Sequence, residues 1–190
     1  MEQKRLIVGI SGASGAIYGI RMLEVLARRP EVETHLVVSQ AARPIIVHEN
    51  ETDHTLAQVE ALADHIHAPD DLAAPIASGS FATDGMAIMP CSIKTLSAIA
   101  NSYAADLMSR AADVTLKEGR PLILVVRETP LHLGHLRLAA RAAEIGAVIF
   151  PPVPAFYGRP QTVADIIDGT VGRVLARLGV DNELYVRWKG

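Results

Sequence analysis

Leu6-Ile-Val-Gly-Ile-Ser-Gly-Ala-Ser-Gly15 joins an apolar run to a cluster of small residues, and its reading decides the fold. Leu6 to Ile10 reads as a buried strand, Ser11 to Gly15 as a turn without bulky side chains, and a helical pattern opens at Ala16. Tyr18, Met22, Val25 and Leu26 recur at helical spacing until Arg28-Arg29-Pro30 ends the segment. Backbone N–H groups in such a turn can close on an anion, and the positive end of the next helix dipole assists. Gly9, Gly12 and Gly15 lie three apart, so the G-x-G-x-x-G dinucleotide fingerprint is not met. Two readings stand for this turn: a phosphate cradle, or close packing alone.

Outward from that stretch, apolar runs alternate with helical patterns. Further strands are expected at Thr34–Ser39, His65–His67, Met86–Met89, Leu122–Val126 and Val148–Phe150. Helices are expected over Ala41–His48, Thr55–Leu62, Ser92–Ala100, Leu107–Lys117, Pro130–Ile145 and Val163–Leu178. Thr55 and Gln58 form a capping box. Thr129 as N-cap, Pro130 at the first helical position and Gly146 past the end frame one helix; Thr162 and Gly179 frame the last. Pro69 to Gly85 reads as a long irregular loop. The expectation is a three-layer α/β/α Rossmann-like fold with a six-stranded, mostly parallel sheet, carried by one domain over residues 1–190. Ligands of such sheets sit at the carboxyl ends of the strands, near the topological switch point.

Bulk properties narrow the partners. A chain of 190 residues is long enough to bury about 70% of its unfolded surface. With 49% hydrophobic and 4% aromatic residues the core is aliphatic. A net charge of −3 gives no reason to expect nucleic acid or an anionic membrane. A single cysteine, Cys91, excludes an intrachain disulfide and fits a reducing compartment. No stretch approaches the ~18 apolar residues of a membrane span, so a cytoplasmic location is expected.

The segments after the strands carry the polar chemistry: Ser11-Gly-Ala-Ser14, Ser39, Pro90-Cys-Ser-Ile-Lys-Thr95, Arg127-Glu128-Thr129-Pro130 and Pro151-Pro-Val-Pro-Ala-Phe-Tyr157. Hydroxyls, Lys94, Arg127 and Glu128 thus gather at one rim. Arg110, Lys117 and Arg173 lie on helices that reach this rim, a neighbouring chain's rim, or only solvent. Cys91 is either a thiolate at a helix N-terminus or a small core residue, and no cysteine–histidine pair favours the first. His132 and His135 with Glu128 invite a metal reading, but no further ligand is placed. Tyr157, after a rigid proline-rich turn, is presented to a ligand or packed in the core.

Five segments in this order, Gly-Ile-Ser-Gly-Ala-Ser-Gly, Pro-Cys-Ser-Ile-Lys-Thr-Leu, Arg-Ala-Ala-Asp-Val-Thr-Leu-Lys-Glu, Val-Arg-Glu-Thr-Pro-Leu and Pro-Pro-Val-Pro-Ala-Phe-Tyr, span nearly the whole chain. The sequence closely resembles the flavin prenyltransferases, the UbiX-type partners of UbiD-type decarboxylases. The resemblance implies a homo-oligomer, a dodecamer in the family, that joins a dimethylallyl group from dimethylallyl monophosphate to N5 and C6 of reduced FMN. Phosphate leaves, no metal is required, and the prenylated flavin goes to a UbiD-type decarboxylase. By motif, Gly12, Ala13, Ser14, Ser39, Ser92, Ile93, Lys94, Thr95 and Arg127 look like the FMN site. Tyr157 and Arg173 look like ligands of the dimethylallyl phosphate. Ser14, Arg110, Lys117 and Glu128 look like the remaining phosphate- and proton-handling groups.

The family's glutamate, ten residues beyond the strand-two serine, matches Glu49 by spacing, whereas its Glu-Thr-Asp triplet matches Glu51-Thr52-Asp53. Glu49 is preferred, because a helix fixes side-chain direction by spacing and a loop absorbs insertions. The alternatives are an FMN carrier and a flavin-dependent decarboxylase subunit. A carrier needs no Lys117, Glu128, Tyr157 and Arg173 together.

Overall fold

The computed structural model describes residues 3–49 and 55–188. Its strands are β1 (Lys4–Ile10), β2 (Val32–Val38), β3 (His65–His67), β4 (Gly85–Cys91), β5 (Leu122–Val126) and β6 (Val148–Ile149). Its helices are α1 (Ala16–Leu26), α2 (Ala42–Glu49), α3 (Leu56–Glu60), α4 (Ile93–Ala100), α5 (Leu107–Lys117), α6 (Leu133–Glu144) and α7 (Val163–Arg177). The strands form one sheet in the order β3-β2-β1-β4-β5-β6. Every adjacent pair is parallel. The strand order reverses between β1 and β4, so the carboxyl ends of these two strands flank the crevice where ligands bind in doubly wound sheets.

Alternation along the strands sorts the core into two layers. Leu6, Val8 and Ile10 of β1 face one side with Leu36 and Val38 of β2, against apolar residues of α1, α2, α3 and α7. Ile7 and Val37 face the other side with Met86, Ile88, Leu122 and Leu124, against α4, α5 and α6. Burial decides helix formation here more than propensity does. In α1, Ile20, Met22, Leu23 and Leu26 are buried. At roughly 1.5–3 kcal/mol per buried large apolar side chain, they outweigh the ~1 kcal/mol that Gly19 costs a helix interior.

Two expectations need correction. Thr129 does not cap α6 and Pro130 does not open it. The Thr129–Pro130 peptide is cis, and the helix begins at Leu133. His132 is extended there, and its Nδ1 accepts from the Gly134 N–H at 3.0 Å, so a ring nitrogen replaces the expected hydroxyl as cap. The stretch after Pro69 is also not wholly a surface loop: Pro75–Ala77 forms a 3-10 turn whose Ile76 and Ala77 enter the α4–α6 layer of the core. The other caps stand as read, with capping boxes at Thr55 and Thr162 and left-handed Gly146 and Gly179 beyond their helices.

Candidate active site

Ser11 builds the crevice. Fully buried after β1, its hydroxyl donates to the Pro90 carbonyl at 2.8 Å and accepts from the Ser92 N–H at 2.8 Å. One side chain therefore ties the ends of β1 and β4 together and sets the turn at Gly12 beside the N-terminus of α4. Ser92 caps α4, accepting from the Thr95 N–H, with the two hydroxyls 3.1 Å apart. Ser39 accepts from the Ala42 N–H at the start of α2. Gly12 has no room for a side chain, since a Cβ there would lie 2.6 Å from that of Ala41. Gly15, with φ +95°, makes the left-handed entry into α1 that other residues resist.

These elements enclose a cleft of about 530 Å³, lined by Gly12, Ser39, Ser92, Ile93, Lys94, Thr95 and Glu128 among others. Ala13 and Ser14 belong to the same turn, and Arg127 follows β5 with its N–H bonded to the Cys91 carbonyl. Among the described residues Lys94 and Arg127 make no ion pair; Lys94 lines the cleft, whereas Arg127 is adjacent in sequence to the lining residue Glu128 and is not itself part of the lining. Glu49 stands at the end of α2, against the start of α1. Its carboxylate accepts from the Gly15 N–H at 2.9 Å and the Ala16 N–H at 3.1 Å, holding the end of α2 against the positive end of α1. Glu51 lies outside the described residues.

Other expected site residues stand elsewhere on the chain. Tyr157 and Arg173 share a second hollow of about 330 Å³ between the turn that follows β6, α7 and the segment around Leu184, with the Arg173 guanidinium 5.7 Å from the Phe150 ring centre. Strand β6 is two places out from β4, about 10 Å across the sheet. Arg110 donates to the Ala77 carbonyl and pairs with Asp113; Lys117 pairs with Glu118. Helix α5 starts at the cleft, where its N-cap Asp106 forms part of the wall. Lys117 is eleven residues further on, roughly 16 Å down the helix, so it cannot reach the cleft of its own chain.

Two candidates lose their chemistry. Burial pushes the Cys91 thiol well above its ordinary range, so it is a core residue and no nucleophile. His132 spends its Nδ1 on the α6 cap, and among the described residues it forms no metal-ligand group with His135 and Glu128. The sequence reading missed Ser11 as the staple, together with Gln40, Pro69, Asp70 and Asp106 in the cleft wall. Asp106 carried a signal, the capping box it forms with Ser109; Pro69 and Asp70 carried none.

Sheet order, switch-point cleft and converging helix N-termini define a doubly wound α/β protein built to hold a phosphorylated cofactor. The flavoprotein family model matches residues 1–175. Flavin prenyltransferase UbiX of Escherichia coli K12 is 62% identical over 189 residues, covering 98% of this chain and 99% of that one. Among solved structures, a dodecameric FMN-dependent UbiX-like decarboxylase from Escherichia coli O157:H7 superposes with a TM-score of 0.93 at 49% identity, covering 98% of this chain and all of the other. AnUbiX in complex with FMN and dimethylallyl pyrophosphate gives 0.94 at 50% identity, covering 100% and 99%. The chain belongs to the UbiX-type flavin prenyltransferases. None of its helices is long and apolar enough to cross a membrane, among the described residues.

Proposed function

We propose that this chain transfers a dimethylallyl group from dimethylallyl monophosphate to N5 and C6 of reduced FMN at a site shared between subunits, releasing phosphate. The observation that carries this reading is the switch-point cleft, where serine hydroxyls, helix N-termini and the unpaired Lys94 ammonium meet. Its volume suits a mononucleotide cofactor, and its donors suit a phosphate. Gly12, Ala13, Ser14, Ser39, Ser92, Ile93, Lys94, Thr95 and Arg127 hold FMN.

Bound reduced flavin supplies the electron-rich atoms that accept the allyl group. The chain does the rest. Tyr157 and Arg173 of one subunit with Arg110 and Lys117 of others surround the departing phosphate, whose developing charge strengthens each contact. Glu128 protonates the leaving oxygen, and Glu49 with Ser14 accepts the proton that ring closure at C6 releases. Large apolar side chains left on the surface, Val153, Phe156 and Val163 among them, support a homo-oligomer, for which we take the dodecamer of the solved relative. One unpaired buried cysteine is in keeping with a single-domain enzyme of the cytoplasm. The product passes to a UbiD-type decarboxylase.

Lys117→Ala and Arg173→Ala are expected to bind FMN as the wild type does while turnover falls about 10²–10³-fold each. Binding is read by flavin fluorescence and turnover by product formation. Normal transfer in either variant contradicts the phosphate assignment.

A further inference from the structure

On the face of the sheet that carries Ile7 and Val37, the outer strands present a block of groups that the transfer chemistry does not use. Glu33 and His35 lie two apart on β2, His65 and His67 two apart on β3, and His35 is in register with His65. We propose that Glu33, His35 and His65 bind one divalent transition-metal ion of the zinc class.

One ligand atom from each of the three residues lies within 4.8 Å of the other two. His35 Nε2 is 2.9 Å and His65 Nε2 3.5 Å from Glu33 Oε1. Ligand atoms around a tetrahedral zinc ion, bonded at ~2.0–2.1 Å, sit some 3.3–3.5 Å apart, and the His35 and His65 rings are stacked with centres 4.7 Å apart, so binding requires rotations that bring His65 out of that stack. His65 can make them, because its side chain is 53% exposed. Two imidazoles and a carboxylate suit zinc and its neighbours in the first transition row, and water fills the fourth position. The supporting contacts that ligands need are also present. Arg5 Nε lies within hydrogen-bond distance of both Glu33 oxygens, at 3.3 and 3.2 Å, fixing the carboxylate and balancing its charge. His35 Nδ1 stands 3.0 Å from His67 Nε2, so when His35 Nε2 takes the ion, its Nδ1–H donates to His67.

The ion ties β2 to β3, a three-residue edge strand. The chain continues from His67 into Pro69 and Asp70 of the cleft wall, so binding stiffens that wall without entering the reaction. The experiment uses tag-free protein stripped with a chelator and titrated with Co²⁺, whose tetrahedral complexes absorb in the visible, followed by displacement with Zn²⁺. One Co²⁺ per chain is expected, displaced by Zn²⁺. His65→Ala is expected to bind at least about tenfold more weakly while keeping its circular dichroism melt, and His132→Ala to bind like the wild type. Failure to take up one ion per chain, uptake indifferent to His65→Ala, or uptake lost in His132→Ala overturns the proposal.

Discussion

Glu49 ends α2, and its carboxylate reaches back to the Gly15 and Ala16 amides beside Ser14. That position was legible because a helix carries a side chain to a fixed face once its start is known, and Ser39 marks the start of α2. Ser11 was not legible. Its partners Pro90 and Ser92 are about eighty positions away in sequence, and only the pairing of β1 with β4 brings them near. The proposed role of Glu49, with Glu51 as the alternative, is open to direct test. Glu49→Gln is expected to slow the ring-closing step about 10²-fold or more, the usual cost of losing a positioned proton acceptor, while Glu51→Gln leaves it unchanged. Rapid mixing of reduced FMN with the allylic phosphate, followed by absorbance, measures this step. Slowing by Glu51→Gln alone transfers the role.

At the scale of elements, the alternation of strand and helix was readable from periodicity, and most helix ends from their caps. The start of α6 was not, because a hydroxyl followed by proline signals a cap only when the chain has already turned into the helix. Histidine at the true cap gives no such signal. The edge of the sheet was half legible: His65–His67 was recognisable as a strand, but what its side chains meet depends on a register that sequence does not state. The turn entering β3 depends on Asp64, whose carboxylate accepts from the Thr34 N–H at 2.7 Å and hydroxyl at 2.9 Å. Burial alone would raise this carboxyl, yet the two Thr34 bonds bring it below its ordinary value. A carboxyl lowered by folding stabilises above its unfolded pKa of about 3.9, and that stability fades as pH falls through the folded value. Asp64→Ala should therefore lower stability by roughly 1 kcal/mol at neutral pH. Urea titrations across pH are expected to show the difference shrinking below about pH 4. A difference independent of pH contradicts the ionised role of Asp64.

For the molecule as a whole, the cleft, the Tyr157–Arg173 hollow and the Arg110–Lys117 surface are three separate places on one chain. The resemblance assigned these residues to a single site, and their separation on one chain was not legible, since it follows from the length of α5 and the position of β6 in the sheet. The site shared between subunits proposed above would reconcile this separation. Coexpressed Lys117→Ala and Arg173→Ala chains are then expected to recover part of the wild-type turnover that neither variant has alone, because some mixed interfaces pair two intact contributions. Mixed oligomers, purified on two tags and assayed with reduced FMN, test this. No recovery means that both residues serve one site from the same chain.

Anaerobic incubation of the purified oligomer with reduced FMN and dimethylallyl monophosphate, followed by mass measurement of the released flavin and assay of free phosphate, tests the central claim most directly. The expected result is a flavin heavier by one five-carbon unit, with one phosphate freed for each flavin converted. FMN recovered at its original mass from enzyme that has bound both compounds would contradict it.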